Sequence, residues 1–504
     1  MSVPLVISLP DGLNVSGVSA WAVRLANARA SLGHPVALVV HPTPPGQRAL
    51  PLRLHPAVMR FDTAAGLPRL AECGGDVRPY LPIYAEAVRR LGARGPVVLS
   101  PNLQGDAYAI AAALATAEAD RVRVVSWLHS DNAYDVRVAA HFEPMLSAFV
   151  PVSRRLEAEA RRILPARADD ITRIPYGVPV LHQPPRRREP DAALRLLYAG
   201  RLEHRQKRIL ALVRMSDELH ARGISHRLTI MGDGPAAADL DLEARRRPDR
   251  IRRLPPGPMD EVDDQFDRHD LVVLASRFEG LSVAMLEAMG RGIPCVVTRV
   301  ESGADEAIRD GIDGITEPAG DSDDDAGLAL ARGVVRASEI GVSRLGLAAW
   351  ETARERYSTE MHARHVDRLL ARCVESPARP WPTTRPCAYS AEGSGSVPAD
   401  AQARLARVLG SLAGERIVIH GCGAHTRALG ATLARSPATI LAITDDDRAA
   451  WGSRLWGWEV IAPQRAGELG ARHVILSSFL HEAAIFARRD AYERQGLSVH
   501  RLYA

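Results

Sequence analysis

Short apolar runs alternate with helical segments along most of the chain, and this alternation constrains the fold more than any other feature. Five runs in the N-terminal part and four after residue 193 are typical of buried strands. Segments of helical composition separate them, such as SAWAVRLANARASLG and GDAYAIAAALATAEA. Strands that alternate with helices pair in parallel, so the sequence predicts an α/β fold. The strand runs are PLVISLP, PVALVV, GPVVLSP, RVRVVSWLH, SAFVPVS, LRLLYAG, HRLTIMGDG, DLVVLAS and IPCVVT.

A Pro- and Arg-rich break divides this alternation into two units. The segment PVLHQPPRRREPDAA at 179–193 has linker composition, so we expect one doubly wound domain over residues 1–180 and a second over 181–373. Open α/β sheets bind ligands at the carboxyl ends of their strands. Two such domains in tandem therefore predict a ligand cleft between them.

A linker and a third module follow. Residues 374–399 have linker composition, and residues 400–504 contain the strand runs RIVIHG, TILAIT and HVILSS. These runs predict a small C-terminal Rossmann-like α/β domain with few strands. Gly421 and Gly423 follow its first strand and Asp445 ends the next, which resembles a dinucleotide loop without the third glycine. Nucleotide binding and a structural role, including homo-oligomer formation, both stay open for this module.

Composition excludes several classes of protein. A formal net charge of +4 over 504 residues predicts no nucleic-acid partner. Arg clusters such as RRILPAR and PPRRREP could contact an anionic membrane surface or a phosphorylated substrate, and a solvated surface is the alternative. There is no apolar run of about 18 residues and no basic leader, so we expect a protein that is neither secreted nor membrane-spanning, and the scattered cysteines favour the cytoplasm. The five cysteines lack metal-ligand spacing, which argues against a zinc site or a disulfide framework.

The densest cluster of candidate site residues is SRFEGLSVAMLEAMGRGIPCVVT. A strand enters a Glu-Gly loop, and we expect Ser282 to cap the next helix, so that the amides of Gly280 and Leu281 form an anion site. Glu279 lies in the loop and Glu287 eight residues later in the helix, where two carboxylates can hold two parts of one ligand. A helix cap with a surface charge, or a glycosidase pair, is the alternative for these acids.

Lys207 is the only lysine: of the 64 Lys and Arg residues, 63 are Arg. It lies in YAGRLEHRQKR, directly after a predicted strand. Lys carries a compact point charge that suits a single phosphate oxygen, whereas Arg is a flat fork. A lone Lys is therefore compatible with a diphosphate site, and accidental survival under Arg-rich coding is the alternative.

These motifs together resemble the retaining glycosyltransferases of the GT-B fold, in the group called family 4. The resemblance covers roughly residues 1–373 and rests on five motifs in order, followed by ETARERYSTEMHARHVDRLL, which is similar to the last helices of that family. It implies two Rossmann-like domains facing a cleft, with the acceptor on the first, the nucleotide-sugar donor on the second, and the last helices crossing back to the first. The five motifs are NVSGVSAWAVRLA, WLHSD, YAGRLEHRQKR, IMGDGP and RFEGLSVAMLEAMGRGIPCVVT.

The resemblance implies that Arg201 and Lys207 bind the donor diphosphate. In most family members the Lys follows the Arg by five positions, whereas Lys207 follows Arg201 by six. The loop is one residue longer here, so Arg205 or Arg208 could share the phosphate role.

The resemblance also implies roles for the acidic and glycine motifs. Glu279 would contact the donor sugar hydroxyls, the amides of Gly280 and Leu281 the sugar or phosphate, and Glu287 the ribose. One acid would then contact the sugar and the other the ribose, which argues against the alternative that they act together as a glycosidase pair.

Four further residues would complete the site. Gly232 and Asp233 would lie near the base, Gly17 would approach the phosphate from the N-terminal domain, and His129 would face the transferred sugar as a catalytic residue. For His129, a turn at a strand end with an ordinary buried or surface histidine is the alternative.

The implied reaction is transfer of a sugar from a nucleoside diphosphate to an acceptor hydroxyl with retention of configuration. The acceptor, whether a glycan, a lipid-linked molecule or a small molecule, is not specified by the sequence. Fixed cations and a helix N-terminus stabilise the leaving diphosphate, so no metal or other cofactor is required. A nucleotide-sugar epimerase and a non-catalytic nucleotide-sugar-binding scaffold are the alternatives.

The segment DSDDD at 321–325 matches a metal-binding pattern, but we expect it to cap a helix.

Overall fold

The computed structural model contains three six-stranded sheets, one after another along the chain. The structure describes residues 2–44, 50, 53–70, 73, 75–102, 105–130, 133–185, 193–255, 264–299, 303–382, 400–478 and 482–503.

The first sheet has the strand order β3-β2-β1-β4-β5-β6, and all of its strands are parallel. This is the Rossmann order, with the switch point between β1 and β4. Every strand except β3 is buried along its whole length, because helices cover both faces of a parallel sheet. The strands are β1 Leu5–Leu9, β2 Val36–Val40, β3 Met59–Asp62, β4 Val97–Ser100, β5 Val122–Leu128 and β6 Leu146–Pro151. The helices are α1 Gly17–Ser31, α2 Leu81–Leu91, α3 Gly105–Ala117, α4 Ala133–His141 and α5 Arg154–Ile163.

The second sheet repeats this topology in the order β12-β11-β10-β7-β8-β9, again parallel, with the switch point between β7 and β10. The prediction of two doubly wound units is therefore confirmed. The strands are β7 Leu194–Ala199, β8 His226–Met231, β9 Ile251–Leu254, β10 Leu271–Leu274, β11 Cys295–Arg299 and β12 Gly314–Pro318. The helices are α6 Leu210–Ala221, α7 Ala237–Arg246, α8 Val283–Gly290, α9 Gly303–Ala307, α10 Asp323–Ile340, α11 Val342–Arg356 and α12 Thr359–Glu375.

Helix α12 packs against α1 of the first unit. Trp21 Nε1 donates to His362 Nε2 at 2.8 Å, and the fully buried Arg29 forms an ion pair with Asp367. Further along, Trp381 is buried, with its ring centroid 5.2 Å from that of Phe142. Residues 374–382, predicted as the start of a linker, thus include a packed segment, and 383–399 lie outside the described residues.

The third sheet has the order β15-β16-β14-β13-β17-β18, parallel except for the β15–β16 pair. Two apolar clusters give this module cores of its own. The expected α/β module is confirmed, but the expectation of few strands is wrong. Three short strands could not be recognised in the sequence because they lack a continuous apolar run. The strands are β13 Arg416–His420, β14 Thr439–Thr444, β15 Arg454–Leu455, β16 Trp458–Ile461, β17 His473–Leu476 and β18 Ser498–Arg501. The helices are α13 Ala401–Ser411, α14 Ala424–Ala428, α15 Gly430–Ala434, α16 Glu482–Phe486 and α17 Asp490–Glu493.

The Arg cluster RRILPAR is largely occupied by contacts within the protein. Arg162 pairs with Glu159 at 2.6 Å, and Arg167 is buried against the Phe149 ring. The other cluster, PPRRREP, lies mostly outside the described residues.

Within the ranges that the structure describes, none of the helices has both the length and the apolar character needed to cross a bilayer.

Candidate functional site

Two helix N-termini converge between the first and second units. Helix α1 follows β1 and α8 follows β10, so both begin at the carboxyl edges of their sheets. Ser16 and Ser282 cap them, each accepting a backbone N–H three residues on, at 3.2 and 3.5 Å, which confirms the predicted Ser282 cap. A β-carbon on Gly17 would lie only 3.3 Å from Val283 Cγ2. The positive ends of two helices thus meet in one place, which favours an anion there.

A cation and a carboxylate lie beside this junction. The Lys207 ammonium forms an ion pair with Glu279, and the two side chains are only 18% and 11% exposed. Ser276 Oγ donates to the same Glu279 oxygen at 2.7 Å. The pair joins the loop after β7 to the loop after β10, so two residues predicted to contact phosphate and sugar lie in direct contact.

Glu203 shapes the loop that carries the predicted phosphate ligands. Its carboxylate accepts hydrogen bonds from the backbone N–H of Gln206 and, at 3.1 Å, of Lys207. Its other oxygen lies 3.9 Å from the guanidinium of Arg201, which is 64% exposed. The Gln206 side chain donates to Phe278 O at 3.1 Å, which holds this loop against the Glu279 loop. Sequence reasoning missed Glu203, although an acid between two basic residues of a short loop is a signal for such a role.

Arg208, one of the alternatives for the phosphate role, is engaged in the core. It is 2% exposed and donates to Ala275 O at 2.7 Å, Gly320 O at 3.0 Å and Thr298 Oγ1 at 3.1 Å. Its backbone has φ +45°, a region that residues other than glycine rarely adopt. The guanidinium therefore braces the loops beneath the cleft, while the adjacent Lys207 contacts Glu279.

Gly232 and Asp233 form the turn after β8, next to the Arg201 loop. A β-carbon on Gly232 would lie 1.8 Å from Gly200 O, and its φ is +152°, so only glycine fits. Leu202 N donates to Asp233 O at 2.8 Å, whereas the Asp233 side chain is half exposed. These two residues thus border the Arg201 loop rather than the Lys207–Glu279 pair.

Gly280 provides a close contact between the first and second units. A β-carbon on Gly280 would lie 2.1 Å from the backbone oxygen of His129. Leu281 follows with a buried side chain and leads directly into the Ser282 cap. The loop that starts α8 therefore rests on the end of β5.

The His129 ring is buried and hydrogen-bonded on both sides. Nε2 lies 3.2 Å from Asn102 Oδ1, and Asn102 Nδ2 donates to Ser8 O, so Nε2 carries the proton. Nδ1 then accepts from the Tyr176 hydroxyl at 2.8 Å. Burial lowers the pKa of His129 to about 3, which keeps the ring neutral. In this arrangement His129 contacts the second unit through its backbone oxygen, which lies against Gly280.

Asp135 fixes the backbone at this point. Its Oδ2 accepts from the N–H groups of His129 and Ser130 at 3.0 and 2.9 Å, and burial raises its pKa to about 6. Sequence reasoning missed Asp135, Asn102 and Tyr176. Asp135 lies in WLHSDNAYD, where an acid shortly after a strand end is a signal for such a cap.

Glu287 forms an ion pair across the cleft that the sequence did not predict. Its carboxylate meets the Arg24 guanidinium of α1, with exposed fractions of 15% and 8%. The residue predicted to bind the ribose is thus held by the opposite unit.

The segment DSDDD begins α10, as expected. Ser322 Oγ accepts from Asp325 N at 3.0 Å, and three Asp residues occupy the first turn, where the helix dipole favours them. In the described parts of the chain, no group of three or more His, Cys, Asp or Glu side chains has a geometry that could hold a metal ion.

In the third module the predicted acid contacts its own loop. Asp445 accepts from Cys422 N at 2.6 Å and from Asp447 N at 2.8 Å. Gly421 precedes this turn with φ +109°. The Asp445 carboxylate of this dinucleotide-like loop is therefore engaged within the module.

The structure brings most of the predicted site residues to one junction, and three others border it. Those at the junction are Gly17, His129, Lys207, Glu279, Gly280, Leu281 and Glu287. The bordering residues are Arg201, Gly232 and Asp233.

Comparison with known families matches the second unit. Residues 193–336 match the family model for glycosyl transferases group 1. A putative colanic acid biosynthesis glycosyltransferase of Salmonella typhimurium is 29% identical over 195 residues, which cover 37% of this chain and 46% of that protein. The chain spans less than half the length of the curated relatives that it matches.

Comparison with solved structures identifies the fold of the first two units. The pneumococcal O-GlcNAc transferase GtfA, solved with UDP and GlcNAc, has a TM-score of 0.57 at 13% identity over 75% of this chain and 100% of that one. Anabaena HepE, solved with UDP and glucose, has a TM-score of 0.55 at 15% identity over 73% of this chain and 99% of that one. The predicted GT-B fold class is therefore confirmed.

Proposed function

We propose that the chain is a retaining glycosyltransferase of the family 4 type, which moves a sugar from a nucleoside diphosphate to an acceptor hydroxyl. The observation that carries this proposal is the Lys207–Glu279 pair beside two converging helix N-termini. A cation for phosphate and a carboxylate for sugar hydroxyls lie in contact there, within a domain that matches glycosyl transferases group 1.

In the proposed donor complex the diphosphate takes Lys207 as its cation. Arg201 and the amides of Gly280 and Leu281 add hydrogen-bond donors on either side. Breaking the sugar–phosphate bond places negative charge on the leaving diphosphate, and preorganised donors stabilise that charge without moving. Glu279 accepts hydrogen bonds from the sugar, and Glu287 accepts them from the ribose.

Retention follows if the acceptor attacks the face from which the phosphate departs. The acceptor oxygen forms a bond to the anomeric carbon as the carbon–phosphate oxygen bond breaks, and the acceptor proton passes to a phosphate oxygen. The neutral, fully hydrogen-bonded His129 ring supports an orienting role rather than that of a general base. The proposed location of this reaction is the cytoplasm, because the five scattered cysteines argue against a disulfide framework.

The proposed donor is a nucleoside-diphosphate sugar, with UDP as the first nucleotide to test, because two structures of similar fold were solved with UDP. The acceptor, a glycan, a lipid-linked molecule or a small molecule, offers a hydroxyl to the first unit. Peripheral membrane contact and homo-oligomer formation through the third module are further parts of the proposal.

An assay with the full chain tests the proposal. Nucleoside-diphosphate sugars are incubated with and without a panel of hydroxyl acceptors, and products are followed by proton NMR, which also reports the anomeric configuration. Donor consumption only with an acceptor, giving a retained product, is expected. Donor isomerisation without an acceptor would instead establish an epimerase, and donor binding without turnover would support a scaffold.

Chelation tests the proposal that no metal is needed. Turnover should be unchanged after treatment with EDTA, because the proposed site neutralises the diphosphate with Lys207, Arg201 and backbone amides. Loss of turnover that manganese or magnesium restores would contradict it.

A further inference from the structure

Arg24 is a buried arginine in the most apolar part of α1. Its neighbours from Trp21 to Ala26 are buried and otherwise apolar, and Arg24 itself is only 8% exposed. One end of the guanidinium, Nη2, is paired with Glu287. The other end, Nη1, is buried and donates to no group in the described part of the chain. Of the two terminal nitrogens, Nη2 therefore has a partner among the described residues and Nη1 does not.

An unsatisfied buried donor is costly. Leaving one without a partner removes its bonds to water without replacing them, and the loss is larger for a charged group. If Arg24 served only to join the two units, a shorter or differently placed cation could pair with Glu287 without that cost. The free Nη1 end is better explained by a ligand that brings an acceptor to it.

The position of Arg24 indicates which group of the ligand supplies the acceptor for Nη1. Arg24 lies seven residues after Gly17, about two turns along the same face of α1, and Glu287 lies four residues after Val283, roughly 6 Å along α8. Gly17 and Val283 mark the converging helix ends where the diphosphate is proposed to lie. A nucleotide sugar extends from its phosphates to the sugar on one side and to the ribose on the other. Since Glu279 is proposed to hold the sugar, we assign the Arg24–Glu287 pair to the ribose.

The chemistry of the pair matches a ribose diol. Each ribose hydroxyl can donate one hydrogen bond and accept others. A carboxylate only accepts and a guanidinium only donates, so together they satisfy both functions of two neighbouring hydroxyls.

We propose that Arg24 is a nucleotide-binding residue supplied by the N-terminal unit, which donates from Nη1 to a ribose hydroxyl while Nη2 holds Glu287 as the acceptor for the ribose. This inference rests on the proposed function. It makes ribose recognition depend on both units at once, and it predicts discrimination between ribose and deoxyribose.

Binding of UDP, 2′-deoxy-UDP and 3′-deoxy-UDP to the full chain, measured by isothermal titration calorimetry, tests the proposal. Wild type should bind UDP about tenfold more tightly than at least one deoxy analogue, which corresponds to the loss of one hydrogen bond to a charged group. Arg24→Met should weaken UDP binding about tenfold and reduce the preference for ribose to less than about threefold. Arg173→Met is the matched control, because it breaks another ion pair between the two units, with Glu306, and should leave the preference intact.

Arg24→Lys keeps a cation opposite Glu287 but has no second end for the ribose. It should fold even if Arg24→Met does not, and it should also lose the preference for UDP over the deoxy analogue. An unchanged preference in both Arg24 variants, or no preference in wild type, would overturn the proposal. Failure of wild type to bind UDP, ADP or GDP would instead contradict the proposed function itself.

Discussion

The Lys207 ammonium is paired with the Glu279 carboxylate although the two residues are 72 positions apart in the chain. They follow β7 and β10, which are adjacent in the second sheet and form its switch point. The topology therefore places a cation and an acid together at the edge where open α/β sheets bind ligands.

Replacing Lys207 by Arg should strongly reduce turnover. The charge is kept, but a planar head group is larger than the ammonium that fits against Glu279, and a displacement on the order of 1 Å can cost about 100-fold in rate. Initial rates under saturating donor and acceptor measure the effect. Lys207→Ala should be lower still, whereas Arg205→Lys, at an exposed position, should be mild. Full activity of Lys207→Arg, together with loss of activity on replacing Arg205 or Arg208, would mean that the longer loop has moved the phosphate contact to another residue.

Substitutions of Glu279 and Glu287 should have different effects, one on turnover and the other on nucleotide binding. Glu279→Gln should lower kcat about 100-fold with little change in UDP affinity, because it replaces one acceptor oxygen with an amide donor and removes the charge that pairs with Lys207. Glu287→Gln should chiefly weaken UDP binding, since it alters the ribose contact. Kinetics and UDP titration of both variants, with Glu218→Gln on α6 as control, provide the comparison. The opposite pattern of effects would contradict the two assignments.

The long apolar strands were predictable, whereas short and polar ones were not. β3 was missed because MRFD has three exposed positions, so no apolar run marks it. β9 was also missed, because two arginines interrupt its sequence IRRL and leave no apolar run. Packing against a neighbouring parallel strand, rather than local composition, determines such edge strands.

The site residues also fall into those that were predictable from local sequence and those that were not. Lys207 and Glu279 lie in recognisable motifs, and the predicted Ser282 cap follows from local sequence. Arg24 pairs with Glu287 only because two units pack together, and a pair from distant helices leaves no spacing signal in the sequence. The His129 network was missed for a similar reason, since Asn102 and Tyr176 come from different loops.

The contribution of His362 to stability should disappear in acid. Burial lowers its pKa to about 4, although the bond that Nδ1 donates to Pro175 O at 2.8 Å acts in the opposite direction. The neutral ring accepts from Trp21 at Nε2. A folded-state pKa below the unfolded value of about 6.5 gives stability that is present above that value and is lost as pH falls toward 4. The stability difference between wild type and His362→Gln should therefore shrink by about 3 kcal/mol from about pH 7 to about pH 4. Chemical denaturation across this range measures it, with His220→Gln as baseline; a constant difference would show that His362 is not held neutral.

A chain truncated after residue 382 should fold and bind UDP with wild-type affinity, because the third module has its own cores. A chain truncated after residue 376 lacks Trp381, which is 2% exposed and packs on Phe142. Loss of a buried Trp costs about 3–5 kcal/mol, so the shorter chain should melt at a markedly lower temperature. Thermal denaturation and UDP titration distinguish the two. Equal stability of both chains would show that Trp381 contributes nothing, and failure of the longer chain to fold would place the third module within the same cooperative unit.

Gly280→Ala should impair catalysis more than folding. The new β-carbon would lie 2.1 Å from His129 O, and because the clash is with backbone, the two units must move apart locally. Such a shift separates the α8 N-terminus from the first unit, so kcat/KM should fall about 100-fold, while the core of each unit stays intact and the melting temperature changes little. Gly410→Ala is the matched control, since a β-carbon there meets nothing within 4 Å and alanine suits a helix. Wild-type kcat/KM in Gly280→Ala would show that the close approach of this loop to His129 is not required for the reaction.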